Sequence, residues 1–297
     1  MNTALQRTGQ GRLRPWAGLL LGGLLAVASG CEQGNPAVLL VRGNVVPQVT
    51  QTNGVVLCTY GTGDNFYLDG VLDLAITNRY RYYAWVENRL TRSASVSGNG
   101  TAALRAEGNM VTLTNVHVTL ARQPNDGKTT SSPFNQKGKT ASFPLATEWD
   151  IPTYAVVDPE ENAPVPFDLV PAQTSPNAPV GEDWRVRWSK FPNNRSHIEQ
   201  VILTFRMEGT TAEGATVSAG EVSYPVSVCW GCLLMMKPKP EISDPDEQWQ
   251  QCSKFEVDST FLSPCQAGVN EGLPCGYYCS QCTKANNCDT KFCPPLN

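Results

Sequence analysis

Two pairs of cysteines have spacing that suits chemistry. Cys229-Trp230-Gly231-Cys232 and Cys279-Ser280-Gln281-Cys282 each set two sulfurs three positions apart. That spacing serves a zinc ligand pair, a redox-active dithiol or a short disulfide. Compact zinc centres keep their pairs close in sequence, whereas these two are far apart, and Cys58, Cys252, Cys265, Cys275, Cys288 and Cys293 compete for partners. A catalytic dithiol is acidified where it opens a helix. Cys229 instead closes the strand-like run Val226-Ser227-Val228, and no amphipathic helix follows. Structural disulfides are therefore expected at these ten cysteines, with no metal and no cofactor.

Cys31 stands apart from the ten. It follows a leader that carries Arg7, Arg12 and Arg14, no acidic residue, and an apolar stretch from Ala17 to Ala28. That stretch is shorter than the ~20 residues needed to span a hydrocarbon core. Two processing routes compete: Ala26-Val27-Ala28 is an A-x-A site for ordinary signal peptidase, whereas Ala28-Ser29-Gly30-Cys31 resembles the lipobox of bacterial lipoproteins, with Ala28 where Leu is usual. The chain holds 11 cysteines. Cleavage after Ala28 leaves an odd thiol, whereas a lipid thioether at Cys31 lets the other ten pair. The lipoprotein resemblance implies a diacylated, N-acylated Cys31, which supplies the two or more chains that stable anchoring requires. Glu32 rather than Asp follows it, which by the same resemblance points to the outer membrane.

Charge and motif content narrow the function classes. Removal of residues 1–30, with their three Arg, takes the formal charge from −4 to −7. An acidic chain of this kind is not suited to nucleic acid or to adsorption on anionic lipid. His117 and His197 are the only histidines, and both sit in polar surroundings that suggest solvated surface positions. No G-x-S-x-G, P-loop or H-E-x-x-H occurs. Asp244-Pro245-Asp246-Glu247 lacks the alternating ligands and Gly of a calcium loop. No catalytic residue is expected.

Carbohydrate binding is the specific alternative. Trp184-Arg185-Val186-Arg187-Trp188 alternates as a strand does, with Trp184, Val186 and Trp188 on one face. The two indoles are a candidate glycan platform, although such alternation also describes a half-buried strand packing a core, which is the favoured reading. Tyr80, Tyr82, Tyr83 and Trp85 mix with Ala84 and Val86 in the manner of a sandwich interior.

The elements that must position these residues are β-strands. Short runs at Val38–Val41, Val55–Tyr60, Val71–Ile76 and Tyr80–Val86 lead to a long alternating run at Met110–Leu120. Val201, Leu203, Phe205 and Met207 share one face of a strand, and Val222, Tyr224, Val226 and Val228 share a face of another. Between them lies the turn-rich stretch Glu208–Gly214, so the pair reads as a hairpin. Residues 122–182 read as a long irregular insert, with seven Pro between Pro152 and Pro179 and a strand candidate at Ala141–Trp149. The organisation expected is a signal peptide at 1–30, a lipid-anchored tether at 31–36, a mainly β body at 37–236 and a cysteine-rich, disulfide-stapled tail at 237–297. The body is expected to be an immunoglobulin-like or fibronectin-like antiparallel β-sandwich. A Cys58 bond to Cys229 or Cys232 would tie the first and last thirds of the body together, but connectivity does not follow from sequence.

The chain also resembles uncharacterised cell-envelope lipoproteins of myxobacterial type. Cys229-Trp230-Gly231-Cys232-Leu233, Pro264-Cys265, Pro274-Cys275 and Cys279-Ser280-Gln281-Cys282 carry that resemblance, which covers about the last third of the chain and the leader. It implies a lipid-anchored envelope protein, held to the membrane through Cys31, that contacts an envelope protein or a glycan and performs no catalysis.

Overall fold

The computed structural model describes residues 38–52, 55–61, 65–92, 108–121, 147–173, 180–189, 198–235, 264–285 and 293. Along them run β1 (Leu39–Val45), β2 (Gln48–Thr52), β3 (Val55–Thr59), β4 (Phe66–Tyr67), β5 (Gly70–Asp73), β6 (Tyr80–Asn88), β7 (Val111–Ala121), β8 (Glu148–Val157) and β9 (Asn162–Val170). These are followed by α1 (Gly181–Ser189), β10 (Glu199–Thr211), β11 (Thr216–Ser218), β12 (Val222–Cys229), β13 (Leu234–Met235), β14 (Leu273–Pro274) and α2 (Cys275–Ala285).

Alternation in the strands separates a buried face from a wet one. On β6 Tyr80, Tyr82, Ala84 and Val86 are buried, and on β10 Val201, Leu203, Phe205 and Met207 are buried. β7 buries Val111 and Leu113, then Val116, Val118 and Leu120. The change of parity falls where its register with β8 shifts, between Leu113 and Asn115. One extra residue moves every later side chain to the other face, and a bulge is how a strand absorbs it. Gly209 sits where the register of β10 on β7 shifts as well, and a Cβ there would lie 2.5 Å from the Thr112 carbonyl oxygen.

A four-stranded sheet in the order β4-β1-β6-β9 packs on a larger one in the order β5-β12-β10-β7-β8, to which β11 adds beside β10. Aromatic rings fill the space between them. Tyr82 of the first sheet meets Phe205 and Tyr224 of the second edge-on, at centroid distances of 5.1 and 4.9 Å, and Phe167 meets Phe205 at 5.3 Å. The fold is mainly β, as expected. The expected hairpin of β10 and β12 forms, antiparallel from Glu199↔Val228 to Phe205↔Val222. β5 departs from the antiparallel pattern, pairing parallel to β12.

Polar side chains cross the same interior. The Tyr80 and Tyr224 hydroxyls lie 2.9 Å apart. Asn44 of β1 donates through Nδ2 to both, and Asn270 donates to Tyr80 at 2.9 Å while accepting from the Val71 backbone N–H at 2.7 Å. At the far end of β6, buried Asn88 donates to the Asn109 and Val157 carbonyls.

Three expectations are corrected here. The insert at 122–182, expected to be largely irregular with a strand candidate at Ala141–Trp149, carries two long strands, β8 and β9, which are the outer strands of the two sheets. Pro152 lies on β8, and Pro164 and Pro166 lie on β9. An edge strand is where a sheet tolerates a residue with no N–H to donate.

The second correction concerns Trp184 to Trp188, which belongs to α1 rather than to a strand. Positions four apart share a face in either structure, so the two Trp do not discriminate between them. The charges do. Glu182 and Asp183 occupy the first turn, where the helix dipole favours them, and Arg187 pairs with Asp183 at 2.6 Å, one turn on.

The third correction concerns the tail, whose boundary at 236/237 is not a boundary of packing. β14 pairs parallel with β13, and Val269, Leu273, Tyr278, Cys279 and Cys293 belong to the same buried cluster as the sandwich aromatics. The Tyr278 hydroxyl donates to the Ala75 carbonyl at 3.0 Å.

Candidate functional site

β3 carries Cys58 to the surface of the body, and its partner is Cys265, at a sequence separation of 207. Cys229 and Cys232, the nearest candidates for it in the sequence, are not its partners. Those two cysteines bond to each other, and Cys279 bonds to Cys293 rather than to its motif neighbour. Cys275 is disulfide-bonded as well. Cys31, Cys252 and Cys288 lie outside the described residues, as does the side chain of Cys282.

The Cys229–Cys232 loop is built around a residue that the spacing of the cysteines does not reveal. β5 lies parallel to β12 with Asp73 opposite Cys229, and Asp73 is fully buried. Its Oδ1 accepts from the Gly231 N–H at 2.6 Å and from the Ala75 N–H at 3.0 Å, and its Oδ2 accepts from the Leu233 N–H at 2.8 Å. Three accepted backbone N–H bonds of this kind suit an ionised carboxylate. Gly231 turns the loop at φ 74°, in the left-handed region where a side chain is strained. The Asp73 carboxylate and the two sulfurs lie within 4.8 Å of one another. These are the atoms of a three-ligand metal set, but joined sulfurs offer no thiolate to a cation.

The sulfurs are not equivalent. Cys229 is wholly buried at the end of β12, with its Sγ 3.7 Å from the Leu72 carbonyl oxygen, whereas Cys232 is partly exposed. Trp230 is buried between them in sequence. One signal in the sequence pointed to the site: Asp73 is the single polar residue in the apolar run Val71-Leu72-Asp73-Leu74-Ala75-Ile76. A lone carboxylate in a buried strand must find donors.

The remaining candidates divide between core and surface. Trp184 and Trp188 are fully buried, so they pack the interior and do not form an exposed platform for a sugar. Tyr80, Tyr82 and Trp85 are also buried, and half-buried Tyr83 stacks on Tyr60 with ring centroids 3.4 Å apart. His117 lies on the wet face of β7, where its Nδ1 is 2.9 Å from Asp150 Oδ1. Asn115 donates to the same oxygen at 3.2 Å. These bonds, the one from His117 foremost, hold the Asp150 carboxyl below its ordinary range. His197 and residues 244–247 lie outside the described residues.

Fold and site together define a mainly β protein whose C-terminal region is cross-linked to its body by the Cys58–Cys265 disulfide and packs into the same buried cluster. No protein-family model, curated protein or solved structure matches this chain.

Proposed function

We propose that the chain is a lipid-anchored protein of the bacterial cell envelope, held in the outer membrane through Cys31, with a structural or protein-recognition role rather than a catalytic one. The observation that carries this reading is the Cys58–Cys265 bond. A disulfide across 207 residues persists where thiols are not continually reduced, which is outside the cytosol. The Arg-bearing leader and the Ala28-Ser29-Gly30-Cys31 motif support the same compartment and supply the anchor. Ten cysteines besides Cys31 form an even set, which accords with Cys31 alone being modified.

The test combines anchoring with contact. Membrane fractions of cells expressing the native chain are expected to hold it, and Cys31→Ser is expected to move it to the soluble fraction and to abolish crosslinks to envelope partners in intact cells. Intact mass of the purified mature protein is expected to show Cys31 acylated, and thiol titration in denaturant is expected to find no free thiol. An odd number of free thiols, or a Cys31→Ser variant that stays in the membrane, overturns the reading.

A further inference from the structure

The Cys229–Cys232 disulfide is poorly suited to the role that the other disulfides fill. Its sequence separation is 3, against 207 for Cys58–Cys265 and 14 for Cys279–Cys293, so it removes the least freedom from the unfolded chain. Its loop is already held without it. Gly231 and Leu233 donate to Asp73, Leu74 donates to the Cys229 carbonyl, and Leu273 donates to the Leu233 carbonyl. Opening the bond therefore leaves the two sulfurs near each other on a fixed backbone, as a reversible couple requires.

We propose that Cys229–Cys232 is a thiol–disulfide exchange site for a dithiol-bearing protein, with Cys232 the sulfur attacked and Asp73 a positioning residue that couples opening to proton uptake. The proposal deepens the recognition reading above, on which it rests for the partner alone.

Burial sets the direction of attack. A partner thiolate can reach Cys232, which is partly exposed, but not Cys229, which is sealed. Attack at Cys232 Sγ forms a mixed disulfide and breaks the Cys229–Cys232 bond, whose electron pair leaves on the Cys229 sulfur. That sulfur takes up a proton, because a buried thiolate beside the Asp73 carboxylate brings two negative charges together in a site closed to water. The resulting thiol has the Leu72 carbonyl oxygen 3.7 Å away as its acceptor. The partner's second thiolate then attacks its own sulfur in the mixed disulfide, leaves as a disulfide and releases Cys232. The partner is oxidised by two electrons and this chain gains two thiols. Cys229 is followed by the Gly231–Leu233 turn rather than a helix, so no helix N-terminus stabilises a thiolate in the reduced pair. The couple therefore remains two electrons and two protons wide.

The test uses the full-length protein in detergent. In an oxidised-glutathione buffer, Cys229→Ser is expected to form a mixed disulfide at Cys232. Cys232→Ser is expected to leave Cys229 unmodified until denaturant is added. In graded reduced and oxidised dithiothreitol, alkylation and peptide mapping of the native chain are expected to show the pair opening as one unit. Its midpoint potential should fall by about 59 mV per pH unit, in parallel with that of dithiothreitol, so that the equilibrium constant between them stays level until a thiol of the pair ionises. Asp73→Asn keeps an acceptor and removes the charge, so it is expected to move the flattening of that slope to lower pH and to speed opening about tenfold. Modification of Cys229 rather than Cys232, or an Asp73→Asn chain with native circular dichroism and an unchanged pH profile, overturns the proposal. If Asp73→Asn fails to fold, the two Ser variants still decide it. Cys31→Ser leaves each of these readouts intact, so failure here is separate from failure of the anchoring reading.

Discussion

The hydroxyls of Tyr80 and Tyr224 meet at 2.9 Å across 144 residues of chain, one from each of the two packed sheets. Asn44 and Asn270 complete the contact, so four separate segments share a single polar knot inside an aromatic core. Burial pushes both phenols above their ordinary titration range, which keeps them neutral near neutral pH. Removing one hydroxyl leaves buried partners short of a bond. Tyr80→Phe and Tyr224→Phe are each expected to cost about 1 to 3 kcal/mol in urea unfolding, and the double variant less than the sum.

Tyr82 is the control for that experiment. Its ring packs edge-on against Tyr224, but its buried hydroxyl has no hydrogen-bond partner among the described residues. Tyr82→Phe is therefore expected to be neutral or to stabilise by up to about 1 kcal/mol, measured in the same way. A loss as large as that of Tyr80→Phe would overturn this expectation.

Cys58→Ser and Cys265→Ser are expected to lower stability by about 2 to 5 kcal/mol, equally for the two variants, because either one releases the same long loop. Differential scanning calorimetry of each variant beside the native chain checks both the size and the equality.

Trp184→Ala and Trp188→Ala are expected to cost about 3 to 5 kcal/mol each through the cavities they leave under α1. Affinity electrophoresis on polysaccharide gels is expected to show the same mobility for native and folded variant chains. Loss of retention by a folded variant would restore the glycan reading.

His117→Ala is expected to return the Asp150 carboxyl upward toward its ordinary range, read by NMR titration. The sign follows from the direction of the shift. A carboxyl lowered in the folded state adds stability above the unfolded value of about 3.9, and loses it as the pH falls through the folded value. Both side chains face solvent, so the effect on stability is small and shrinks with added salt.

Where one face of a strand is wet, the sequence could be read directly. Val201 to Met207 and Val222 to Val228 alternate without interruption, and the structure places them as the alternation requires. What remained hidden depended on three-dimensional neighbours. Proline-containing β8 and β9 resembled loop because a sheet edge, visible only in the assembled topology, is what makes proline acceptable there. Trp184 and Trp188 obey the strand period and the helix period equally, and only Asp183 and Arg187 break the tie. The partner of Cys58 could not be read because pairing is decided by proximity in the fold. Asp73 was visible as an anomaly in an apolar run, yet two of its three donors, the Gly231 and Leu233 N–H groups, lie about 160 residues downstream.

The insertion of Asn270, Leu273 and Tyr278 into the interior sets an order of events for making the protein. The first sheet begins at Leu39, but the knot around Tyr80 lacks a member until Asn270 arrives, more than two hundred residues later. Pairings of such separation are slow to form, because the chain entropy is lost before the contacts compensate it. A chain made from its N-terminus therefore cannot close its core until its final portion has emerged, and its apolar strands wait exposed until then. A copy truncated before residue 264 would lack not an appendage but the last wall of its own interior.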